Sequence, residues 1–216
     1  MTEKLPPQAR FITLEGGEGA GKSTQAQLLA DALTALGIPV LLSREPGGAP
    51  GSEAVRELLL SDTLIWSAPA EVLLHFAARA EHVEKRIRPA LADGCWVVCD
   101  RFADSTMAYQ GYGQGASRDL IVTLTRLIGP VPDVTFILDI SRAVALSRLR
   151  ERGGAADRYE REGDAFHARV NEGFRAIARD APERCVVIPA DDSEASVHSA
   201  IMGALWQRIG AGDRAK

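Results

Sequence analysis

The sequence predicts an α/β fold, a three-layer α/β/α sandwich around a parallel sheet. Short apolar runs rich in β-branched residues recur along the chain, and longer segments with helical periodicity separate them. Strands that are apolar throughout are typical of a parallel sheet with helices on both faces. The 216 residues, 46% of them hydrophobic, are enough for a single domain spanning 1–216.

Strands are predicted at five places along the chain, near 10–14, 38–43, 95–100, 134–140 and 184–190. The clearest helices are predicted between them, at 23–36, 68–91 and 141–152. Ligands of such sheets bind beyond the carboxyl ends of the strands. We therefore expect the residues that follow each strand to form the functional site.

A glycine-rich loop, EGGEGAGKST at 15–24, lies between the first strand and the first helix. It fits the pattern G-x-x-x-x-G-K-[ST], a P-loop whose backbone N–H groups wrap a polyphosphate. In such a loop Lys22 would reach the β and γ phosphates of ATP, and Ser23 would help to hold Mg²⁺. Together with the five predicted strands, the loop predicts a P-loop NTPase fold with a five-stranded parallel sheet. The ATP-binding residues expected here are Gly16, Gly17, Glu18, Gly19, Ala20, Gly21, Lys22, Ser23 and Thr24.

Asp100 ends the third predicted strand and is the second candidate metal residue, beside Ser23. A carboxylate at this edge of the sheet could hold the hydration shell of Mg²⁺. The alternative is that Asp100 caps a helix. Asp139 ends the fourth strand, but a helix follows it closely, so capping is the better interpretation there.

The class of P-loop protein is narrowed by what the sequence lacks. Its one asparagine, Asn171, is followed by Glu172, so no N-K-x-D guanine reader exists, and D-x-x-G does not occur. A phosphotransferase instead needs a second anion site for the acceptor. Arginine suits that site because its fork binds phosphate oxygens in pairs, although each arginine alone could be a surface residue. The candidates are Arg44, Arg56, Arg79 and Arg101.

An arginine-rich segment at about 148–162 surrounds the pair Gly153–Gly154. One interpretation is a lid that closes over ATP, excludes water and adds positive charge at the transferring phosphoryl group. The other is an exposed basic helix end whose arginines pair with Glu151 and Glu160. The spacing alone leaves both open.

Taken together, the segments EGGEGAGKST, REPGG, AAR, DRF..ST.AYQG and RERGGAADRYE resemble those of bacterial thymidylate kinases, in the same order from Arg10 to about Phe174. The resemblance implies transfer of the ATP γ-phosphoryl group to dTMP, giving dTDP and ADP in dTTP biosynthesis. It further implies Mg²⁺ and a homodimer. The thymine preference rests on the resemblance, so a kinase of another nucleoside monophosphate, or a regulator that binds nucleotide without turnover, stays open.

The resemblance assigns roles to residues at the acceptor phosphate and sugar. Arg101 matches the arginine that grips the dTMP phosphate, and Arg56 matches a further phosphate ligand. Arg79 matches an arginine near the base and the phosphate. Glu18 matches an acidic residue that approaches the acceptor sugar.

The same resemblance extends to the base and the lid. Thr106 and Tyr109 match residues that read the thymine edge and exclude a ribose 2′-hydroxyl. The P-loop carries no arginine, which is similar to family members whose catalytic arginine comes from the lid, making Arg152 and Arg158 the candidates. Further residues expected at the nucleotides are Ser105 and Gln110 in the acceptor pocket, Pro46 after a cis peptide bond, and Arg148 with the turn PADDSE at 189–194 near adenine.

One position departs from the family pattern. Many relatives carry an aromatic residue four positions before the equivalent of Arg79, whereas this chain has His75 there and Phe76 one position later. One residue rotates a helical side chain by about 100°, so only one of the two can face the base. We expect Phe76, since apolar stacking suits a neutral pyrimidine.

Composition indicates a soluble cytoplasmic protein without nucleic acid or membrane partners. The net charge of −4 and pI of about 5.6 disfavour a surface made for polyanions. The three cysteines fit neither a disulfide framework nor a zinc site, and we expect a reducing compartment. No signal peptide or membrane-spanning run is expected.

Overall fold

The computed structural model describes residues 8–153 and 158–212. Its five strands form one parallel sheet, as the sequence predicts, and their order in the sheet is β2-β3-β1-β4-β5. The strands are β1 (Phe11–Gly16), β2 (Val40–Arg44), β3 (Trp96–Asp100), β4 (Val134–Asp139) and β5 (Cys185–Pro189).

Helices cover both faces of this sheet. They are α1 (Lys22–Ala35), α2 (Pro50–Leu60), α3 (Ala68–His82), α4 (Arg88–Ala92), α5 (Ala103–Thr106), α6 (Arg118–Ile128), α7 (Arg142–Arg152), α8 (Asp164–Asp180) and α9 (Glu194–Gly212). The described residues also contain two π-helical segments. Val83–Ile87 joins α3 to α4, and Met107–Gly113 follows α5. None of the helices in the described ranges is long and apolar enough to cross a bilayer.

The helix predicted at 68–91 is confirmed, and it contains a π-helical segment. The π-helical segment Val83–Ile87 separates α3 from α4, and Pro89 lies in the first turn of α4. Proline cannot donate the i to i−4 hydrogen bond that a continuous helix needs at this position. The wider π-helical turn lets the helix continue past that position, from α3 into α4.

The core explains the three layers. Successive side chains of a strand point to opposite faces, so Phe136 packs with the side chains of α1 and α9, while Ile137 packs with those of α8. Both residues are at most 2% exposed, and all of β1 is buried. The prediction of a sheet with helices on both faces is confirmed.

Sheet register brings the ends of three strands together. Leu14 of β1 lies opposite Asp100 of β3, which lies opposite Arg44 of β2. The Arg101 N–H then donates to the Leu14 carbonyl at 2.9 Å, and the Glu45 N–H donates to the Asp100 carbonyl at 2.9 Å. The loops after β1, β2 and β3 therefore leave the sheet side by side.

Candidate active site

The glycine-rich loop after β1 wraps the amino terminus of α1. Gly19 and Gly21 have φ of 74° and 84°, which side-chain-bearing residues rarely adopt. A Cβ on Gly19 would also lie 2.7 Å from the carbonyl oxygen of Ala145 in α7. The first-turn N–H groups of α1 consequently face the loop, where the helix dipole favours an anion.

Lys22 begins α1 and is only 6% exposed. Its ammonium donates to the Gly17 carbonyl at 2.7 Å, so the side chain folds back over the loop. Burial, together with the charge of Arg101, lowers the pKa of Lys22 to about 8. A cation is thus held inside the phosphate loop.

Ser23 and Asp100 meet beside this lysine, because the Ser23 hydroxyl donates to Asp100 Oδ2. The other carboxylate oxygen, Oδ1, is buried and accepts no hydrogen bond from the residues that the structure describes. In those residues Asp100 caps no helix, since the position before α5 belongs to Phe102. A buried carboxylate oxygen without a partner is unusual and fits a cation ligand.

Arg101 joins the P-loop to the helix after β3. One guanidinium nitrogen, Nη1, donates to the Gly16 carbonyl at 3.1 Å and to Ser105 Oγ at 3.2 Å. The other, Nη2, donates to Glu18 Oε1 at 2.6 Å and to the Tyr109 hydroxyl at 3.1 Å. Arg101 is also the one non-glycine residue with positive φ, 69°, within the described ranges. Strained backbone of this kind clusters at functional sites.

Glu18 and Arg101 form a preformed ion pair, and the Tyr109 hydroxyl also donates to Glu18 Oε1 at 2.6 Å. Burial alone would raise the pKa of Glu18, but the charges of Arg101 and Lys22 and the Tyr109 hydrogen bond outweigh it and lower the pKa to about 2. Glu18 is therefore ionised at neutral pH.

Arg79 of α3 lies on the opposite wall. Its Nε donates to Glu45 Oε2 at 2.8 Å and its Nη2 to Thr106 Oγ1 at 3.0 Å. Its Nη1 is buried and has no hydrogen-bond partner in the described part of the chain. The Glu45–Pro46 peptide is cis, as predicted from the sequence. Arg79 also lines the cavity, so its fixed guanidinium keeps one unused N–H donor beside it.

A single cavity of about 740 Å³ is lined both by the P-loop and by Arg56, Arg79 and Arg101, which together we call the arginine wall. It brings together most of the residues predicted from the sequence. These are Glu18, Gly19, Ala20, Gly21, Lys22, Ser23, Thr24, Pro46, Arg56, Arg79, Asp100, Arg101, Ser105, Thr106, Tyr109, Gln110, Arg148 and Arg152.

Four predicted residues do not line this cavity. Gly16 and Gly17 form the start of the loop, where a Cβ on Gly16 would approach the Leu138 carbonyl oxygen to 2.6 Å and the Gly17 carbonyl accepts a hydrogen bond from Lys22. Phe76 is buried in the core. Arg158 donates to the Glu71 carboxylate and, at 3.4 Å, to the Leu59 carbonyl.

The preference for Phe76 over His75 is corrected by this arrangement. His75 and Arg79, four residues apart on α3, share the face that lines the cavity. Phe76 is 2% exposed and packs with Val72 and Ile121. Burial, with a contribution from the Arg79 charge, lowers the pKa of His75 to about 3, so its ring is neutral at neutral pH. A neutral flat ring therefore stands where an aromatic residue was expected.

Two residues beside the acceptor pocket, Glu71 and Tyr159, are not among the predicted site residues, although Tyr159 lies within the predicted lid. The Tyr159 hydroxyl donates to Glu71 Oε1 at 2.9 Å and lies 3.2 Å from both His75 Nε2 and Gln110 Nε2. In the sequence, Glu71 resembles any acidic residue in the first turn of a helix. No local pattern connects the two residues, because they are 88 positions apart in the sequence.

The arginine-rich segment begins on α7. Arg148 donates to the carbonyl of Asp192, at 2.8 Å, so the two features expected near adenine do meet. Arg152 lines the cavity and pairs with Glu160 at 2.7 Å. Residues 154–157, inside the predicted lid, lie outside the described residues.

Glu15, at the end of β1, is fully buried beneath this site. It accepts hydrogen bonds from the Phe102 N–H at 2.8 Å and from Ser105 Oγ at 2.6 Å. Burial first, and then the charge of Asp104, raises the pKa of Glu15 from 4.5 to about 7. Its ionisation therefore opposes folding.

We expect Glu15→Gln to make unfolding less sensitive to pH. The favourable contribution of protonated Glu15 is complete below pH 4.5 and is lost as the pH rises through about 7. Relative to the parent, the variant should gain up to about 3 kcal/mol between pH 4.5 and 7.5, since one pKa unit is worth about 1.4 kcal/mol. Urea denaturation at both pH values measures this gain. Exposed Glu57→Gln is the control, and a difference from the parent that stays constant with pH would contradict the expectation.

A P-loop and an arginine wall that share one cavity define a nucleoside monophosphate kinase. The family described as thymidylate kinase matches residues 14–201. The chain is 52% identical to the thymidylate kinase of Caulobacter vibrioides, over 94% of this chain and 99% of that protein, and 50% identical to that of Gluconobacter oxydans, over 92% and 95%. It also matches the crystal structure of thymidylate kinase from Ehrlichia chaffeensis, with a TM-score of 0.75, 39% identity and coverage of 92% and 100%. The chain belongs to the thymidylate kinase family, and its reaction is the phosphorylation of dTMP by ATP.

Proposed function

We propose that the chain makes dTDP by binding ATP on the P-loop and dTMP against the arginine wall. The phosphate of dTMP then lies in line with the γ-phosphoryl group of ATP for transfer. The observation that carries this proposal is the common cavity, in which Lys22 and Arg101 lie at adjoining walls. Phosphoryl transfer needs little covalent help from a protein and depends on positioning and charge neutralisation. No general base is needed in this scheme.

At the donor end, Lys22 binds the β and γ phosphates, and Ser23 with Asp100 holds Mg²⁺. The unpartnered Asp100 Oδ1 and the neighbouring Ser23 hydroxyl support this, because Mg²⁺ prefers oxygen ligands and takes one or two carboxylates plus phosphates. The ion, when bound, neutralises charge on the transferring phosphoryl group. Arg148 and the turn at 189–194 lie near adenine.

At the acceptor end, Arg101 and Arg56 bind the dTMP phosphate. The Arg56 guanidinium is already oriented by its bond to the Pro46 carbonyl, at 2.7 Å. Glu18 and Tyr109, which bind each other, contact the sugar and exclude a 2′-hydroxyl.

The base lies between His75, Arg79, Thr106 and Gln110, with Ser105 on the same wall. All five residues line the cavity. His75 stacks on the pyrimidine in place of the aromatic residue of many relatives. Arg79 Nη1, the buried donor without a partner, supplies a hydrogen bond to a ring carbonyl.

Between the two ends, Arg152 is the first candidate for the arginine that stabilises the transferring charge, because it lines the cavity from α7. Arg158 is the second candidate and needs a rearrangement, since it is paired with Glu71. An arginine in this role contributes about 10³ to 10⁵ in rate. Comparing the single-turnover rates of Arg152→Met and Arg158→Met decides between them.

A coupled assay of ADP release tests the proposal with dTMP, dUMP, dCMP and GMP as acceptors. We expect dTMP to be the preferred substrate and turnover to require Mg²⁺. Equal turnover of dTMP and dCMP would contradict the assignment of the base pocket. Nucleotide binding without turnover of any acceptor would favour a regulator.

We further propose a homodimer in the cytoplasm. Leu73 on α3 and Leu127 on α6 are 53% and 77% exposed, which supports an interface on these neighbouring helices. The three cysteines are free, which supports a reducing compartment. Light scattering of the purified protein measures the assembly state, and Leu127→Glu should shift a dimer toward monomer.

A further inference from the structure

Glu71 is a fully buried carboxylate beside the proposed base pocket, but it does not line the cavity. Its Oε1 accepts hydrogen bonds from Gln110 Nε2 at 2.8 Å, Gln114 Nε2 at 2.8 Å and the Tyr159 hydroxyl at 2.9 Å. Its Oε2 accepts from Arg158. Burial would raise the pKa of Glu71, but the two glutamine amides and the Arg158 charge outweigh it and lower the pKa. The carboxylate is therefore ionised and can only accept hydrogen bonds.

This acceptor determines the direction of the neighbouring bonds. The Tyr159 hydroxyl gives its one hydrogen to Glu71, so it acts as an acceptor toward Gln110 Nε2, 3.2 Å away. Both hydrogens of Gln110 Nε2 are then used, one on Glu71 and one on Tyr159. Turning the amide over would place its carbonyl oxygen against the carboxylate, where two acceptors would repel each other. The orientation of Gln110 is therefore fixed.

A fixed amide leaves one group of Gln110 for a ligand, its carbonyl oxygen. Among the described residues, none donates a hydrogen bond to that oxygen, and Gln110 lines the cavity. Arg79, on the same cavity, holds its unpartnered Nη1 donor. The pocket thus offers the Gln110 carbonyl as an acceptor, beside the guanidinium of Arg79 as a donor. Thymine and uracil carry a ring N–H next to a carbonyl, whereas cytosine carries a bare ring nitrogen next to an amino group, which is the reverse pattern.

We propose that Glu71 is a positioning residue for acceptor specificity, which fixes the Gln110 amide so that the pocket selects bases with a ring N–H over cytosine. The inference rests on the proposed base pocket and adds a residue that touches no substrate. Sites that hydrogen-bond a substrate group reject analogues lacking it by up to about 10⁴ to 10⁵, because buried polar groups are left unpaired. Part of that discrimination depends on Glu71.

The test is Glu71→Gln, which keeps the side-chain shape but adds a donor, so that the Gln110 amide can turn over. We expect the ratio of kcat/KM for dTMP to that for dCMP to fall at least 10-fold, with the KM for ATP changed less than twofold. A ratio that stays within twofold of the parent would overturn the proposal. The parent protein distinguishes the two ways the experiment can fail. If the proposed function is wrong, the parent itself shows no preference for dTMP. If only the role of Glu71 is wrong, the parent prefers dTMP and the variant keeps that preference.

Gln114→Met is the matched control, because Gln114 donates to the same carboxylate oxygen and does not line the cavity. We expect the specificity ratio to be unchanged in this variant. General loosening of the network would lower dTMP and dCMP turnover together in both variants and leave both ratios intact, which would also overturn the proposal. If Glu71→Gln does not fold, the double variant Glu71→Gln with Arg158→Met also removes the Arg158 charge that would lack its partner. The same specificity ratio is then measured in the double variant.

Discussion

Lys22→Met is expected to lower kcat by about 10³-fold or more, because it removes the one ammonium inside the phosphate loop. Preorganised charges at a transferring phosphoryl group are worth several kcal/mol, since they act in a site that excludes water. Methionine keeps most of the lysine stem, so the buried space stays filled. Steady-state assays with saturating ATP and dTMP measure the loss.

Exposed Lys85→Met is the matched control for this change and should retain the parent rate. Thermal unfolding verifies that both variants fold. A Lys22→Met enzyme within 10-fold of the parent kcat would remove Lys22 from the reaction.

Arg101→Met is expected to lower kcat/KM for dTMP by about 10³-fold while the KM for ATP changes little. Arginine at a phosphate makes two parallel charge-assisted bonds, which no other side chain replaces. The change also leaves the partly buried Glu18 carboxylate without the guanidinium that pairs with it, and we expect a loss of about 3 kcal/mol of stability, the lower end for breaking a buried pair. Kinetics with dTMP as the varied substrate, together with urea denaturation, separate the two effects.

The double variant Arg101→Met with Glu18→Gln serves as the stability control for this experiment. It removes both charges of the pair, so we expect most of the lost stability to return, while dTMP kinetics stay impaired. Acceptor kinetics that recover together with stability would show that Arg101 acts through folding and does not contact the phosphate.

Local signals explain how much could be predicted. The strands are runs of consecutive apolar residues, and the P-loop is one short segment, so both could be identified without knowing the fold. Asp100 and Arg101 could be placed near the loop because parallel strands end at the same edge of a sheet. The residues around the P-loop could therefore be predicted from the positions of the strand ends in the sequence.

The acceptor end could not be predicted in the same detail. Its walls come from α3, the π-helical segment after α5 and the chain after residue 157, and no spacing rule connects them. The contact between Glu71 and Tyr159 is visible only after folding. The error at His75 and Phe76 has a similar origin, since chemistry favoured phenylalanine and the phase of α3, set by packing against α6, decided otherwise.

The close approach of Gly19 to the Ala145 carbonyl has a mechanical consequence. The main chain of the phosphate-binding loop contacts the main chain of α7 directly, with no side chain between them. Because α7 carries Arg148 and Arg152, we expect a shift of the loop on binding a triphosphate to move these two arginines as well. A methyl group added at Gly19 would therefore push the phosphate-binding loop and α7 apart.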